Sequence, residues 1–325
     1  MTIINGIEID TIRYVQNPMK EAILNNDPLE DNLHVIMVVS NPCQFASRYI
    51  LAKEFMYRMH REPNVLLYVV EMVYGDQEFR VTNEKNPRHL QVRTTHPLWH
   101  KENMINMGVK LLPLNWKAMA WIDADIEFES SSFALDALKL LNGCSDVIQL
   151  FSHCLDMDKQ EGTMNTWAGF GYCHCKNKVR GKEVWHPGYA WAITRKAYEK
   201  IGGLYELSIL GSGDHNMSLS FIGHGLQSVN GHASDPYKKS IVDFQHKASH
   251  LRLGYVPGII RHYYHGSKIN RKYNERWSIL VKHQYNPEAH VKQDNGVLVP
   301  TDTCPTELLT DIMSYFKERN EDSIV

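Results

Sequence analysis

Two continuous apolar segments, residues 33–40 and 64–73, constrain the fold of this chain more than any other feature. Strands that are apolar on both faces are typical of a parallel sheet that is covered on both sides. The segment between them, residues 46–60, is predicted to be a helix, which gives a strand–helix–strand order. The sequence therefore predicts an α/β fold with a mixed, mostly parallel sheet flanked by helices.

A third apolar segment, residues 118–122, ends in Asp123-Ala124-Asp125. Ligands of open α/β sheets bind outside the carboxyl ends of the strands. We predict one strand over residues 116–128, on which alternate side chains share a face, so that Asp123 and Asp125 point into one cleft. Carboxylate oxygens suit Mg²⁺ and Mn²⁺, and such a cation could bridge a diphosphate. The alternative is an ordinary polar turn, which this short motif alone does not exclude.

The ends of the first two strands are candidate nucleotide-binding positions. The first strand is followed by Ser40-Asn41-Pro42-Cys43, which contains no glycine. P-loop NTPases and nicotinamide-dependent enzymes need a glycine-rich loop at this place, so both classes are disfavoured. Asn41 and Pro42, together with Glu71 near the end of the second strand, are predicted to face the nucleotide.

The charge balance and the lack of long apolar segments limit the class of protein. The chain has 35 Lys and Arg against 37 Asp and Glu, a net charge of −2. This balance gives no general attraction to nucleic acid or to an anionic membrane. The N-terminus lacks the pattern of a signal peptide, and no apolar run approaches the ~18–20 residues of a membrane span. We therefore expect a cytoplasmic protein without a membrane span.

The six cysteines are expected to be reduced thiols in that compartment. They are Cys43, Cys144, Cys154, Cys173, Cys175 and Cys304. A zinc cluster built from Cys173-His174-Cys175, His153-Cys154 and His186 is the alternative. The spacing does not match the paired cysteine ligands of structural zinc sites, so loop thiols are the preferred interpretation.

The chain is interpreted as one domain with an addition at each end, because it contains no internal repeat and no long linker. Residues 152–184 are rich in Gly, Cys, His and Asn and poorly periodic, and are predicted to form a long loop of the kind found in lids and acceptor-binding insertions. The predicted parts are an N-terminal arm (1–30), a nucleotide-binding half (31–150), an acceptor-binding and catalytic half (151–290), and a C-terminal tail with a helix (291–325).

Four blocks of the sequence carry a resemblance to a known family. They are Trp99-His-Lys-Glu-Asn-Met-Ile-Asn-Met-Gly108, Trp121-Ile-Asp-Ala-Asp125, residues 188–205 with Gly211-Ser-Gly-Asp214, and Ile260-Arg-His-Tyr-Tyr-His-Gly-Ser-Lys-Ile-Asn-Arg271. In this order they resemble the GT-A fold of nucleotide-sugar-dependent glycosyltransferases, in the branch of the β-1,4-galactosyltransferases and the polypeptide GalNAc-transferases. The resemblance covers about residues 33–277 and implies a Rossmann-like GT-A domain with an elaborated C-terminal half.

The resemblance also implies ligands for a divalent cation, Mn²⁺ or Mg²⁺. Asp125 matches the main metal ligand, and Asp123 would bind the donor ribose, or the metal through water. His265 is the first choice for a third ligand, and His262 is the alternative. Two residues three apart on one strand face opposite sides, so we expect only one of these histidines to bind.

The same resemblance assigns residues to the two substrates. Asp214 would take the proton of the acceptor hydroxyl as the general base of an inverting enzyme. A helix N-cap is its alternative role. The family has a Glu-Asp pair at this place, whereas this chain has Gly213-Asp214. Further candidates are Trp99 and Lys101 for the base, Lys268 and Arg271 for the diphosphate, and His186, Tyr189 and Trp191 for the acceptor, since aromatic faces bind sugar rings.

The expected function is therefore metal-dependent transfer from a nucleotide sugar, with a UDP-sugar as the donor class. A glycan, a protein or another hydroxyl compound would be the acceptor, and the net charge gives no support to a nucleic acid acceptor. A metal-dependent nucleotidyltransferase and a catalytically inactive glycan-binding relative remain alternatives. Animal members of the family are membrane-anchored, whereas no anchor is expected in this chain. A bacterial, phage or large-virus origin fits that expectation.

Overall fold

The computed structural model describes residues 17–179, 185–272 and 275–323, together with the backbone of two short strands near the N-terminus. In chain order the strands are β1 Ile3–Ile4, β2 Ile7–Glu8, β3 Leu33–Ser40, β4 Val65–Tyr74, β5 His89–Thr94, β6 Ala118–Ile122, β7 Ile126–Phe128, β8 Val147–Gln149, β9 His153–Met157, β10 Thr163–Gly169, β11 Trp185–His186, β12 Ala190–Thr194, β13 Leu253–Tyr255, β14 Ile259–His262, β15 Val291–Asp294 and β16 Val297–Pro300. The α-helices are α1 Pro18–Asn25, α2 Ala46–Met59, α3 Lys101–Val109, α4 Phe133–Leu141, α5 Phe170–Cys175, α6 Arg195–Ile201, α7 Gly213–Phe221, α8 Asp235–Ala248, α9 Trp277–Lys282, α10 Pro287–His290 and α11 Thr306–Glu318. Short 3₁₀ helices cover Gly225–Ser228 and Lys268–Arg271.

A seven-stranded sheet forms the centre of the fold, with the strand order β13-β8-β12-β6-β3-β4-β5. Its neighbouring strands are parallel except at the two pairs that involve β12. Strands β3, β4 and β6 are buried along almost their whole length, as strands covered on both faces must be. The predicted α/β class, with a mostly parallel sheet flanked by helices, is confirmed.

Helices pack on both faces of this sheet, and each face has its own core. On one face, α2 and α4 bury Phe55 and Phe133 against the strands. On the other face, α3, α7 and α8 bury Met104, Met217 and Tyr237. Burial of apolar side chains at about 25 cal/mol per Å² is the main favourable contribution to such a three-layer arrangement.

A second sheet, with the order β11-β10-β9-β14-β7, is joined to the first through the two aspartates. Strand β6 ends at Ile122 and β7 begins at Ile126, so the chain passes from one sheet to the other in the turn between them. The predicted single strand over residues 116–128 is therefore wrong. The strand expected to carry both His262 and His265 is likewise shorter, because β14 ends at His262.

The segment 152–184 is not the predicted long loop. It contains β9, β10 and α5, and only residues 180–184 lie outside the described part. The first four residues of β10 are exposed, so this strand lacks the apolar pattern by which a strand is recognised in a sequence. Its hydrogen bonds to β9 hold it in place instead.

The C-terminal residues belong to the main core. Strands β15 and β16 form a hairpin, and α11 buries Leu308, Ile312 and Tyr315 in the core that also contains α3. The predicted helix of the tail is therefore present, and it is part of the globular body. The boundaries of the predicted halves remain a prediction, and β12 and β13 of the second half complete the sheet of the first.

Two further expectations concern membrane-spanning segments and the cysteines. None of the helices in the described part of the chain combines the length and the apolar character needed to cross a bilayer. All six cysteines are free thiols. Within residues 17–179, 185–272 and 275–323, Cys173, His174 and Cys175 join no group of metal-ligand type, because the one such group is formed by other residues.

Candidate active site

A cavity of about 850 Å³ opens at the carboxyl ends of the central strands β3 and β6. Its wall includes Ser40 and Asn41 at the end of β3 and the two aspartates after β6. The first turns of α3 and α7, the loop after β14 and the end of α11 complete it. This is the place where open α/β sheets bind their ligands.

Asp125, His262 and His265 come together on the wall of this cavity. The Nε2 atoms of His262 and His265 lie 3.7 and 2.7 Å from Oδ2 of Asp125. The expectation that the two histidines face opposite sides is wrong, because β14 ends at His262 and His265 lies in the loop that follows. The backbone N–H of Tyr263 donates to the carbonyl oxygen of Asp125 at 2.7 Å, which ties this loop to the aspartate turn.

A buried carboxylate lies behind each of the two imidazoles. Asp156, which is 1% exposed, lies 2.7 Å from Nδ1 of His262. Oε2 of Glu321 lies 3.6 Å from Nδ1 of His265. A carboxylate at Nδ1 keeps the proton on that nitrogen and leaves the lone pair of Nε2 for a cation. Both Nε2 atoms are thus oriented for metal binding beside Asp125.

The three residues fit a divalent cation. Oδ1 of Asp125 is buried without a hydrogen-bond partner in the described part of the chain, which is costly for a carboxylate oxygen unless a ligand binds it. A carboxylate with two imidazoles suits Mn²⁺ better than Mg²⁺, which prefers oxygen ligands, and it also suits ferrous iron. Nη2 of Arg271 lies 2.9 Å from Nε2 of His265, so a cation at this place has to displace that contact.

The two aspartates of the turn have different electrostatic environments. Burial disfavours the charge of Asp125, but the adjacent His265 and His262 outweigh it and hold the pKa of Asp125 well below its usual range. Asp123 forms an ion pair of 2.6 Å with Lys101. Burial nevertheless raises the pKa of Asp123, since Lys101 opposes it only in part. Asp123 lies beside the three-residue cluster and its predicted role as a ligand remains a prediction.

Asp214 lies on the cavity wall in the first turn of α7. The N-cap of this helix is Ser212, so the alternative N-cap role does not apply to Asp214. Its Oδ1 accepts a hydrogen bond from the backbone N–H of His215 at 2.9 Å. Burial opposes ionisation, but the positive charge of Lys101 and the hydrogen bond from the backbone of His215 outweigh it and lower the pKa of Asp214. The structure therefore holds an ionised carboxylate in the cavity.

His186 and Tyr189 also line the cavity, close to Asp214 and to the histidine pair. Their rings are stacked with centroids 3.9 Å apart, and the ring of Tyr189 lies 4.7 Å from that of His262. Burial lowers the pKa of His186 to about 3, so this imidazole is neutral. Tyr189 has a φ of 79°, a conformation that is rare outside glycine and is found most often at functional sites.

The residues predicted to bind the donor, with one exception, lie at the same cavity. Trp99 lies under the guanidinium of Arg319 at 5.1 Å, and Lys268 pairs with Asp156. The side chain of Asn41 exchanges two hydrogen bonds with the backbone of Phe45, so it shapes the wall and fixes the start of α2. The predicted donor residues that line the cavity are Asn41, Pro42, Trp99, Lys101, Asp123, Lys268 and Arg271.

Two predicted site residues do not lie at the cavity. Glu71 is 1% exposed, and its carboxylate is bound by the backbone N–H groups of residues 80–82 and by the hydroxyl of Thr82. It holds a loop and is not a nucleotide ligand. Trp191 is 2% exposed and stacks on Trp121 within the core, with its Nε1 donating to the carbonyl of Pro187. The assignment of Trp191 to the acceptor pocket is therefore wrong.

Several residues on the cavity wall or directly behind it could not be recognised in the sequence. Asp156 lies in the stretch read as a loop, and only the pairing of β9 with β14 brings it opposite His262. Glu321 comes from the C-terminal end, which carries no motif. Trp185 lies near His215, with 5.7 Å between ring centroids. Glu102 follows Lys101 within the first of the four sequence blocks, and the resemblance assigns it no role. The one sequence signal for Glu102 is that an acidic residue stands among the buried positions of α3.

No family model matches the chain, and no curated protein matches it. Solved structures of similar fold include a Drosophila β-1,4-galactosyltransferase 7 with manganese, UDP-Gal and xylobiose, which is 11% identical over 86% of this chain and 98% of its own, with a TM-score of 0.41. A mannosyltransferase from Pyrobaculum calidifontis with GDP-Man and Mn²⁺ is 13% identical over 81% of this chain and 68% of its own, with a TM-score of 0.44. An inositol-1-phosphate CTP transferase from T. maritima is 7% identical over 72% of this chain and 89% of its own, with a TM-score of 0.35.

These neighbours include glycosyltransferases of the kind that the sequence resembles. At such low identities and TM-scores, nothing about the activity of this chain follows from them. The activity is therefore inferred from the residues of the cavity alone.

Proposed function

We propose that this protein is a divalent-metal-dependent glycosyltransferase that moves a sugar from a nucleoside diphosphate donor to an acceptor hydroxyl. The observation that carries the proposal is the meeting of three parts in one cavity. They are the Asp125–His262–His265 cluster, the ionised Asp214, and cationic side chains that include Lys268 and Arg271. Sugar transfer needs positive charge at the leaving diphosphate and a base at the acceptor, and this cavity offers both.

The donor would lie between the cation site and the aromatic side of the cavity. When bound, Mn²⁺ or Mg²⁺ would offset the negative charge of the leaving diphosphate. Lys268 and Arg271 line the cavity and would donate hydrogen bonds to the phosphate oxygens. Trp99 offers a ring face to the nucleobase, and Lys101 a charge near the ribose and phosphates. A uracil base is the choice that the sequence resemblance favours.

The acceptor would lie on the side of Asp214. In this scheme the carboxylate of Asp214 takes the proton of the acceptor hydroxyl as the oxygen of that hydroxyl forms a bond to the anomeric carbon. The bond from the anomeric carbon to the diphosphate oxygen breaks on the opposite side, and its electron pair leaves with the diphosphate. Attack opposite to the leaving group inverts the anomeric configuration. Tyr189 and Trp185 would supply the apolar surface for the sugar ring.

Replacement of Asp214 by Asn tests this assignment. The purified protein would be incubated with Mn²⁺, UDP- and GDP-sugars and a panel of methyl glycosides, with products detected by mass spectrometry. We expect Asp214→Asn to lower the rate of transfer by about 10²–10⁴-fold, the usual contribution of a general base. Binding of UDP with Mn²⁺, measured by calorimetry, should stay nearly unchanged because the carboxylate does not hold the donor.

A matched control is available in the first turn of another helix. Asp235 is the first residue of α8 and is exposed, so Asp235→Asn changes the charge at a helix start without touching the cavity. This variant should transfer at the wild-type rate. Transfer that survives in Asp214→Asn would remove Asp214 as the base. Release of pyrophosphate from a nucleoside triphosphate and a sugar phosphate would favour a nucleotidyltransferase instead.

A further inference from the structure

A second carboxyl group lies beside Asp214 and comes from a different helix. Glu102 is in the first turn of α3, is 2% exposed and lines the cavity. Gly213, the first residue of α7, precedes Asp214 in the chain. A Cβ atom on residue 213 would lie 2.9 Å from Oε2 of Glu102 and still closer to its Cδ and Oε1. The carboxyl group of Glu102 therefore fills the space that any side chain at position 213 would need.

An ion pair with the neighbouring lysine does not explain why the carboxyl group of Glu102 lies here. The neighbouring Lys101 forms its ion pair with Asp123. The carboxyl group of Glu102 has a hydrogen bond to its own backbone N–H. A carboxyl group has two oxygens and several hydrogen-bonding positions, so Glu102 keeps capacity for a ligand in the cavity that it lines.

The two carboxyl groups differ in their protonation. Burial raises the pKa of Glu102 to about 8; Lys101 opposes this shift, and the negative charge of Asp214 adds to it. The pKa of Asp214 is lowered, as described above. Near neutral pH one group is then a hydrogen-bond donor and the other a carboxylate. Pairs of acids whose environments separate their pKa values in this way are typical of sites with two distinct roles.

We propose that Glu102 binds the acceptor as the partner of Asp214, and that the acceptor is a carbohydrate ring with two neighbouring hydroxyl groups. Asp214 takes the proton of the reacting hydroxyl, and Glu102 hydrogen-bonds the hydroxyl next to it. The carboxyl group of Glu102 occupies the side-chain space of position 213, next to Asp214, and two carboxyl groups placed in this way suit such a diol. An isolated hydroxyl, such as that of a serine or a hydroxymethyl group, would leave Glu102 without a partner. The proposal rests on the proposed function.

The pairing of Glu102 with Gly213 permits an experiment in which the carboxyl group is moved between helices. Three variants are compared with the wild type: Glu102→Ala, Glu102→Ala with Gly213→Glu, and Glu102→Ala with Gly213→Met. The methionine variant fills the same space without a carboxyl group. Gly213 does not have a left-handed backbone conformation, so a side chain is tolerated there once Glu102 is shortened.

The expected results separate acceptor binding from packing. Glu102→Ala should raise the KM for the best methyl glycoside acceptor about tenfold, the usual effect of losing one hydrogen bond, with the KM for the donor unchanged. The variant with Gly213→Glu should recover most of this loss, and the variant with Gly213→Met should not. Equal recovery by methionine would show that Glu102 only fills space and would overturn the proposal.

Deoxygenated acceptors identify the second hydroxyl. For the wild-type protein, methyl glycosides that lack the hydroxyl next to the reacting one should have a KM about tenfold higher, whereas for Glu102→Ala the two glycosides should not differ. If the wild type transfers sugar but its KM does not respond to this deletion, the diol assignment is wrong while the glycosyltransferase proposal stands. If the wild type transfers no sugar to any acceptor, the proposed function itself fails.

Discussion

Asp156→Asn is a sharp test of the cation site, because Asp156 touches the proposed ligand His262 and not the cation itself. Its Oδ1 lies 2.7 Å from Nδ1 of His262, and both side chains are almost fully buried. Water therefore cannot replace the lost charge at this contact. The asparagine keeps the shape of the side chain and can still accept a hydrogen bond, but it no longer draws the proton to Nδ1.

The size of the effect follows from this geometry. Loss of a carboxylate behind a metal-binding histidine costs about 10–100-fold in metal affinity. Tenfold corresponds to about 1.4 kcal/mol, so the expected loss in binding free energy is about 1.4–2.7 kcal/mol. Lys268, which pairs with Asp156, is 35% exposed and can be hydrated when the pair is broken. The folded state should therefore survive the substitution.

Mn²⁺ binding measured by calorimetry or by electron paramagnetic resonance gives the result without any need for an acceptor. The matched control is Asp311→Asn. Asp311 also binds a histidine and a lysine, His283 at 2.8 Å and Lys282 at 2.7 Å, but lies outside the cavity. Asp311→Asn should bind Mn²⁺ like the wild type. Wild-type affinity in Asp156→Asn would refute the view that Asp156 orients His262 for a cation.

Two further predictions concern the aromatic walls and a buried histidine. Trp185→Ala should raise the KM for the acceptor with little change in UDP affinity. Trp99→Ala should weaken UDP binding measured by calorimetry. The reverse pattern would mean that the donor binds at Trp185 and the acceptor at Trp99. Burial lowers the pKa of His100 from 6.5 to about 4. Between these pH values His100 is protonated in the unfolded chain and neutral in the folded chain. This residue should therefore lower the free energy of unfolding, measured with urea, by about 3 kcal/mol as the pH drops from above 6.5 to below 4. His100→Gln should remove this contribution to the pH dependence. An NMR titration that gives His100 an ordinary pKa would contradict this.

Local sequence signals were sufficient to predict those strands and helices whose ends are marked by particular residues. Strand β3 spans the predicted residues, because an apolar run is followed by Asn41-Pro42. Helix α6 is followed by Gly202 in the left-handed conformation at a φ of 76°, and such a glycine is a helix-end signal that a sequence shows directly. The fold class follows from such strands. Likewise, the grouping of Asp125 with a histidine near residue 265 was available from the sequence blocks.

The rest of the site depends on contacts between distant segments. Asp156 and His262 are adjacent only because β9 and β14 pair in parallel. Glu321 reaches His265 only because α11 packs on the core. The sequence showed one carboxylate fewer than the family pattern at Gly213, but no spacing rule reveals that Glu102 of another helix occupies that space.

The choice between tryptophans failed for a related reason. Trp191 lies opposite Trp121 in the sheet register, so its side chain is stacked in the core. Trp185, six residues earlier, lies on the cavity wall. A sequence shows that both are aromatic, but the burial of one and the exposure of the other to the cavity are decided by how the two sheets meet.

The most direct test of the proposed glycosyltransferase activity is the release of nucleotide from sugar donors. The purified protein would be incubated with Mn²⁺ and a panel of UDP- and GDP-sugars, with and without EDTA, and the free nucleotide measured. We predict release from one donor, its loss with EDTA, and its recovery when Mn²⁺ is returned in excess. Release that is unaffected by EDTA would contradict the role of the Asp125–His262–His265 cluster. No release from any donor, together with no binding of UDP or GDP, would contradict the proposed activity as a whole.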